Sequence, residues 1–203
     1  MAGAGALVVG QTKVSPEAIR NSVIRTEATI ARAWQLPAAS TFRREVTWQS
    51  NVSRCGPASV ANALRSLGEP AASEAQVLAG TWWCWTGVCI MGLTLDELAE
   101  VARAKTRRAV TVVRDLSLEE FRGHLRRTND VRRRYIVNFR RTEIFGAGAG
   151  HHSPIGGYLE AEDLVFVLDV NRDYRPWLVE AARLHAAMDT LDGSRKRGLL
   201  LIE

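Results

Sequence analysis

A chain of 203 residues with 46% hydrophobic content has room for one domain, or one domain of two lobes, and none for a second catalytic module. Its net charge of +5 comes from short, scattered clusters (Arg132 to Arg134, Arg140 to Arg141, Arg195 to Arg197) without interleaved stacking aromatics, which argues against nucleic acid and suits a small anionic substrate. Three cysteines, Cys55, Cys84 and Cys89, leave an odd thiol under any pairing, and no apolar run approaches the ~20 residues of a membrane span, so a reducing, cytoplasmic setting off the membrane is expected.

In chain order, Met1 to Gly10 is small and apolar but lacks the basic start of a secretion signal. Residues 15 to 35 read as one helix: Ser15 is its cap, Pro16 suits the first helical position, and Ile19, Val23, Ile30 and Ala33 share a face before Pro37 ends it. A link from Ala38 to Val46 leads to Gln49 and a loop, Asn51 to Arg54. Residues 1 to 46 are therefore taken as an N-terminal helix and linker, and 47 to 203 as the catalytic domain. A second helix is predicted from Gly56 to Leu67, stopped by Gly68 with Pro70 behind it. The tryptophan-rich stretch from Thr81 to Met91 is too irregular to assign. Capping boxes at Thr94 to Glu97 and Ser117 to Glu120 open helices to about Ala104 and Arg127. Strands are expected at Ala109 to Val113, Tyr135 to Phe139, Pro154 to Tyr158, Leu164 to Val170 and Leu199 to Ile202. Helices dominate the first half and strands the second, an α+β order with the thiol on a helical lobe and His and Asp on an antiparallel sheet lobe.

Four residues carry the chemistry. Cys55 precedes Gly56-Pro57 at a helix start, where unpaired N–H groups and a partial positive charge favour a thiolate. Gln49, six residues earlier, can fold its amide back beside the thiol and, with the Cys55 N–H, hold an oxyanion, an effect worth about 2.7 to 4 kcal/mol per donor. His151 opens a strand after a Gly-Ala run and is the candidate base and acid. Its neighbour His152 points to the opposite face of a strand, so only one of the two should reach the thiol, leaving His152 a packing or surface role. Asp169 closes an apolar strand, where a carboxylate needs a partner. The His151 ring would provide one, and a salt bridge to a residue such as Arg172 is the alternative.

Together these residues resemble the phytochelatin synthase family, over roughly Trp48 to Glu203. Gly150-His151-His152-Ser153-Pro154-Ile155-Gly156-Gly157-Tyr158 is similar to its Gly-His-x-Ser-Pro-x-x-x-Tyr segment. Leu168-Asp169-Val170, the later Trp177, Gly92 to Leu98, Ala187 to Asp192 and Lys196-Arg197-Gly198 also have counterparts. The resemblance implies a papain-like cysteine peptidase fold and assigns the catalytic histidine to His151. It places Asn138, Arg141 and Arg197 at the substrate pocket, where guanidinium forks suit the carboxylates of glutathione. Pro57 and His152 depart from the family pattern, and the loop from Asp169 to Trp177 is shorter.

The resulting expectation is a glutathione γ-glutamylcysteinyltransferase that releases glycine through a Cys55 thioester, in metal detoxification or glutathione turnover. No tightly bound cofactor and no dedicated metal site are expected. Cadmium or zinc enters as the glutathione thiolate complex, and a homodimer is left open. The rivals are a papain-like peptidase trimming peptides after a double glycine and a non-catalytic glutathione- or metal-binding module.

Overall fold

The computed structural model describes residues 13–70, 73–81 and 92–203. The Trp82 to Trp85 cluster, Cys84 and Cys89 lie outside the described residues. Helices α1 (Pro16–Ser22), α2 (Glu27–Ala33), α3 (Cys55–Ser66), α4 (Glu74–Leu78) and α5 (Leu95–Arg103) come first in the chain. Strand β1 (Val110–Val113), helix α6 (Leu118–Arg127), strand β2 (Arg134–Arg140) and helix α7 (Arg141–Phe145) follow. Next are β3 (Gly150–Leu159), β4 (Leu164–Val167), β5 (Trp177–Glu180), α8 (Ala181–Met188), the short pair β6 (Leu191–Asp192) and β7 (Arg195–Lys196), and β8 (Leu199–Ile202). Among the described residues, strands β1, β8, β2, β3, β4 and β5 form one sheet in that order, antiparallel throughout. The chain is an α+β protein, as its sequence implies.

The sheet is buried on both faces, which is why its strands read as near-continuous apolar runs. On one face Tyr135, Val137, Phe139, Val165, Val167, Val179, Leu199 and Leu201 meet Ile19 of α1, Phe121 and Leu125 of α6, Ile144 and Phe145 of α7 and Leu184 of α8. On the other, Ile136, Leu200 and Ile202 meet Val60 and Leu64 of α3 and Leu95 and Leu98 of α5. Farther along that face, Leu164, Phe166, Leu168 and Leu178 are covered by Ala33, Trp34, Phe42 and Val46. Each fully buried Leu, Ile or Phe contributes about 1.5–3 kcal/mol. Residues 13–46 thus belong to the same cores as the sheet.

Both expected capping boxes form, at Thr94/Glu97 and Ser117/Glu120. The predicted helix over residues 15 to 35 is two helices instead. Between them Ile24 pairs with Leu178 through N–H···O distances of 2.8 and 2.9 Å, covering the open edge of β5. An edge strand that would otherwise template foreign pairing draws this segment out of helical geometry, and Thr26 caps the resumed helix. The register of β3 on β4 shifts between Ile155 and Gly157, and a Cβ at Gly156 would stand 2.7 Å from Phe166 Cδ1, so this bulge requires its glycine. Among the described residues no helix is long and apolar enough to cross a membrane.

Candidate active site

The first residue of α3 is Cys55, a free and buried thiol. Its preceding residue Arg54 supplies no side-chain cap, so the first-turn N–H groups keep their partial positive charge near the sulfur. Helix α3 lies on β3, where Ser59 Oγ donates to the carbonyl of His152 at 3.0 Å. That contact fixes the sulfur against the start of the strand.

His151 pairs across the ladder with Phe139 and stacks edge-on against its ring at 5.6 Å between centroids. Its Nε2 is 3.0 Å from Asp169 Oδ1, which leaves Nδ1 for the thiol. Asp169, fully buried, also accepts from Arg141 Nη2 at 3.0 Å, the Asn171 N–H at 2.9 Å and Trp177 Nε1 at 3.1 Å. Burial alone would raise this carboxyl's pKa, but Arg141, His151 and the Asn171 N–H hold it far below the usual carboxylate range. The His151 pKa is raised: burial and Arg141 depress it, and Asp169 and the Cys55 sulfur more than offset them. Burial works against the Cys55 thiolate too, yet the charge and hydrogen bonding of His151, joined by His152, bring the thiol well below its ordinary value. Both shifts favour a thiolate–imidazolium pair.

His152 does not take the packing or surface role expected of it. Its Nδ1 is 3.8 Å from Cys55 Sγ. Strand alternation itself holds, since His151 sits on the Phe139 face and His152 on the Asn138 face. The expectation fails because β4 ends at Val167, with the Leu168 N–H bonded to the Pro154 carbonyl as the last rung. From His151 to Ser153 the β4 side of β3 is therefore an open edge. A sulfur beside that edge is reached from both faces.

Gln49 is held beside this edge by its N–H to the Val170 carbonyl, 2.8 Å. Its Nε2 donates to the Asn51 carbonyl at 2.9 Å, and among the described residues the second amide hydrogen is unclaimed. Arg197 Nη1 donates to Asn138 Oδ1 at 2.8 Å, its Nη2 lies 3.3 Å from Asp192 Oδ1, and Asn138 Nδ2 donates to Asp192 Oδ2 at 2.7 Å. Gly150 makes room for this guanidinium, because a Cβ there would collide with Nη1.

Gln49, Cys55, Arg141, His151, His152 and Arg197 line a single cavity of about 520 Å³. Asp169 and Asn138 stand behind it and hold the lining residues in place. Several lining groups are buried without a partner among the described residues: Arg141 Nη1, Arg197 Nε, Gln49 Oε1 and His152 Nε2. Asp169 pairs with Arg141 and His151, and the alternative partner Arg172 is not among its contacts. Sequence reasoning missed Tyr174, whose ring lies 3.4 Å from the Arg141 guanidinium carbon, and Asp192, which orients Arg197.

Three relatives carry related names. The chain is 30% identical over 117 residues to glutathione gamma-glutamylcysteinyltransferase of Schizosaccharomyces pombe, covering 55% of this chain and 28% of the relative. It is 32% identical over 127 residues to glutathione gamma-glutamylcysteinyltransferase 3 of Lotus japonicus, covering 56% and 25%. With glutathione gamma-glutamylcysteinyltransferase 2 of Arabidopsis thaliana the identity is 43% over 70 residues, covering 33% and 16%. The matches thus cover 28% or less of each of these three curated relatives. The family model for phytochelatin synthase runs over residues 9–199, nearly the whole chain and every residue of the cavity described above, and the chain belongs to the phytochelatin synthase family.

Proposed function

We propose that the protein is a thiol acyltransferase with a papain-like arrangement, acting on glutathione. Cys55 attacks the carbonyl of the Cys–Gly peptide bond as a thiolate, and the oxyanion is met by the Cys55 N–H and the free amide hydrogen of Gln49. His151, protonated and oriented by Asp169, gives its proton to the departing glycine amine. The resulting γ-glutamylcysteinyl thioester is opened by water, giving γ-glutamylcysteine, or by the amino group of a second glutathione, giving a longer γ-glutamylcysteinyl peptide. Either nucleophile gives up a proton to neutral His151 and restores the Cys55 thiolate. A cadmium or zinc ion belongs to this reaction as part of the substrate, bound to glutathione thiolates.

The observation that carries this reading is the pairing of a buried thiol beside two imidazoles, His151 backed by the Asp169 carboxylate, with two guanidinium groups, Arg141 and Arg197, that each keep one buried nitrogen without a partner among the described residues. Glutathione brings two carboxylates, and such anions would satisfy those nitrogens. Asn138 and Asp192 then serve to aim Arg197.

Mass spectrometry after brief exposure to glutathione tests the reading, with free glycine measured in parallel. Wild type should release glycine and carry a γ-glutamylcysteinyl adduct on Cys55, and His151→Ala should do neither. Finding only a glutathione mixed disulfide on Cys55, with no glycine released, would sink it.

A further inference from the structure

Two imidazoles act on the thiol, and among the described residues only one of them has an acid behind it. His151 has Asp169 at 3.0 Å, whereas His152 Nε2 is buried and, among the described residues, without a partner. His152 itself is 3% exposed, its backbone is held by Ser59, and its Nδ1 faces Cys55 Sγ at 3.8 Å. The tautomer follows from elementary hydrogen bonding. A thiolate carries no proton to donate, so an Nδ1 lone pair facing it would set two acceptors against each other. A proton on Nε2 would in addition leave a buried N–H without an acceptor, the rarer and costlier kind of orphan. With the proton on Nδ1 the sulfur gains a donor, and only a lone pair on Nε2 remains unpartnered.

We infer that His152 is a second donor to the nucleophile: its Nδ1–H holds the Cys55 sulfur as the thiolate and supports that sulfur again when it leaves the thioester. The first role sets how much thiolate exists at a given pH. The second follows because the bond that breaks on deacylation is carbon to sulfur, the electron pair goes to sulfur, and a donor on that sulfur makes it a better leaving group. His151 differs in moving a proton at each step, which His152, with no acid to steady it, does not do.

Other charges face the same sulfur and must be kept constant. They are His151 on β3, Arg197 ahead of β8, and Asp169 with Arg141 behind His151. Glu74 pairs with Arg54 at 3.8 Å behind the loop that leads to α3. Lys13, Asp173 and Asp192 line the wider cavity. None is altered by substitution at His152.

The inference rests on Cys55 being the nucleophile of the proposed reaction, and its test uses no glutathione, so the two can fail separately. Iodoacetamide alkylation of Cys55 is followed by peptide mass spectrometry across pH, with the fold checked by circular dichroism. His152→Phe, which keeps a flat ring without a donor, should move the alkylation midpoint up by about one pH unit, equivalent to ~tenfold less thiolate below it. His152→Leu carries the same expectation should the Phe variant not fold. His152→Asn places an amide N–H where Nδ1 stands and should restore the wild-type midpoint. An unchanged midpoint in the Phe or Leu variant overturns the inference. So does an Asn variant shifted as far as those two, which would make the effect one of packing. Loss of glycine release with a normal wild-type alkylation profile would count against the substrate reading alone.

Discussion

Asp169 receives four hydrogen bonds while wholly shielded from water, from Arg141, His151, the Asn171 N–H and Trp177. A carboxylate in that position must stay charged, since among the described residues it is the only acid that Arg141 and His151 share. Asp169→Asn keeps the shape but turns one acceptor oxygen into a donor facing other donors. It should lower the rate of glycine release about 10²- to 10⁴-fold and, by stranding the Arg141 charge, cost about 3–5 kcal/mol of stability. The pH dependence has a definite sign. The folded-state pKa lies below the unfolded one, so the folded chain binds fewer protons at this group and its contribution is complete above the unfolded value. The stability difference between wild type and Asp169→Asn should therefore be full above about pH 4 and shrink as pH falls below it. Urea titrations at several pH values read this directly, and a difference that grows on acidification would contradict it.

At the scale of elements, the sequence was informative wherever local chemistry decides the outcome. The Thr94 and Ser117 boxes start their helices, Gly68 ends α3, and the β8 strand from Leu199 to Ile202 falls where its β-branched and leucine run puts it. What was illegible depends on partners distant in the chain. Residues 177 to 188 give β5 and α8, yet Trp177 to Glu180 is a strand because β4 offers it an edge, and nothing local announces that. Likewise Ile24 looks helical and is pulled straight by Leu178. Among the site residues, Cys55, His151 and Asp169 were legible through their spacing and family resemblance. The contact of His152 with the sulfur was not, because it depends on where β4 leaves β3. The Ile24 bridge is testable by itself. Ile24→Pro removes the N–H that serves the Leu178 carbonyl, a loss of about 1–3 kcal/mol for an orphaned buried acceptor, and it uncovers the β5 edge. A lower urea midpoint together with larger particles in light scattering is expected, and an unchanged midpoint would mean that the bridge does not protect that edge.

Taken as a whole, the molecule closes its sheet with segments that come before the site in sequence. Val14, Ile19 and Val23 enter one core, and Ala33, Trp34, Ala39, Phe42 and Val46 form most of the cover over Phe166, Leu168 and Leu178. Val14 also lines the cavity and stands where a Cβ on Gly148 would meet it at 3.3 Å. Leu168 immediately precedes Asp169, so the layer that buries Leu168 also steadies the turn from which the carboxylate reaches His151. These contacts make residues 13–46 structural partners of the segment that carries the candidate site, although in sequence they read as a helix and a linker. A fragment of residues 47–203 would expose the Phe166 face of the sheet, forfeiting about 1.5–3 kcal/mol for each large side chain uncovered there, against a total stability of only about 5–15 kcal/mol for a typical domain. The fragment is therefore expected to lack a cooperative thermal transition and to bind a hydrophobic dye. Its Cys55 should also alkylate with the pH profile of an ordinary exposed cysteine, because the His151–Asp169 contact goes with the turn. A fragment that melts as sharply and as high as the full chain, with the low-pH reactivity of Cys55 retained, would show that the site is built by the sheet and α3 alone.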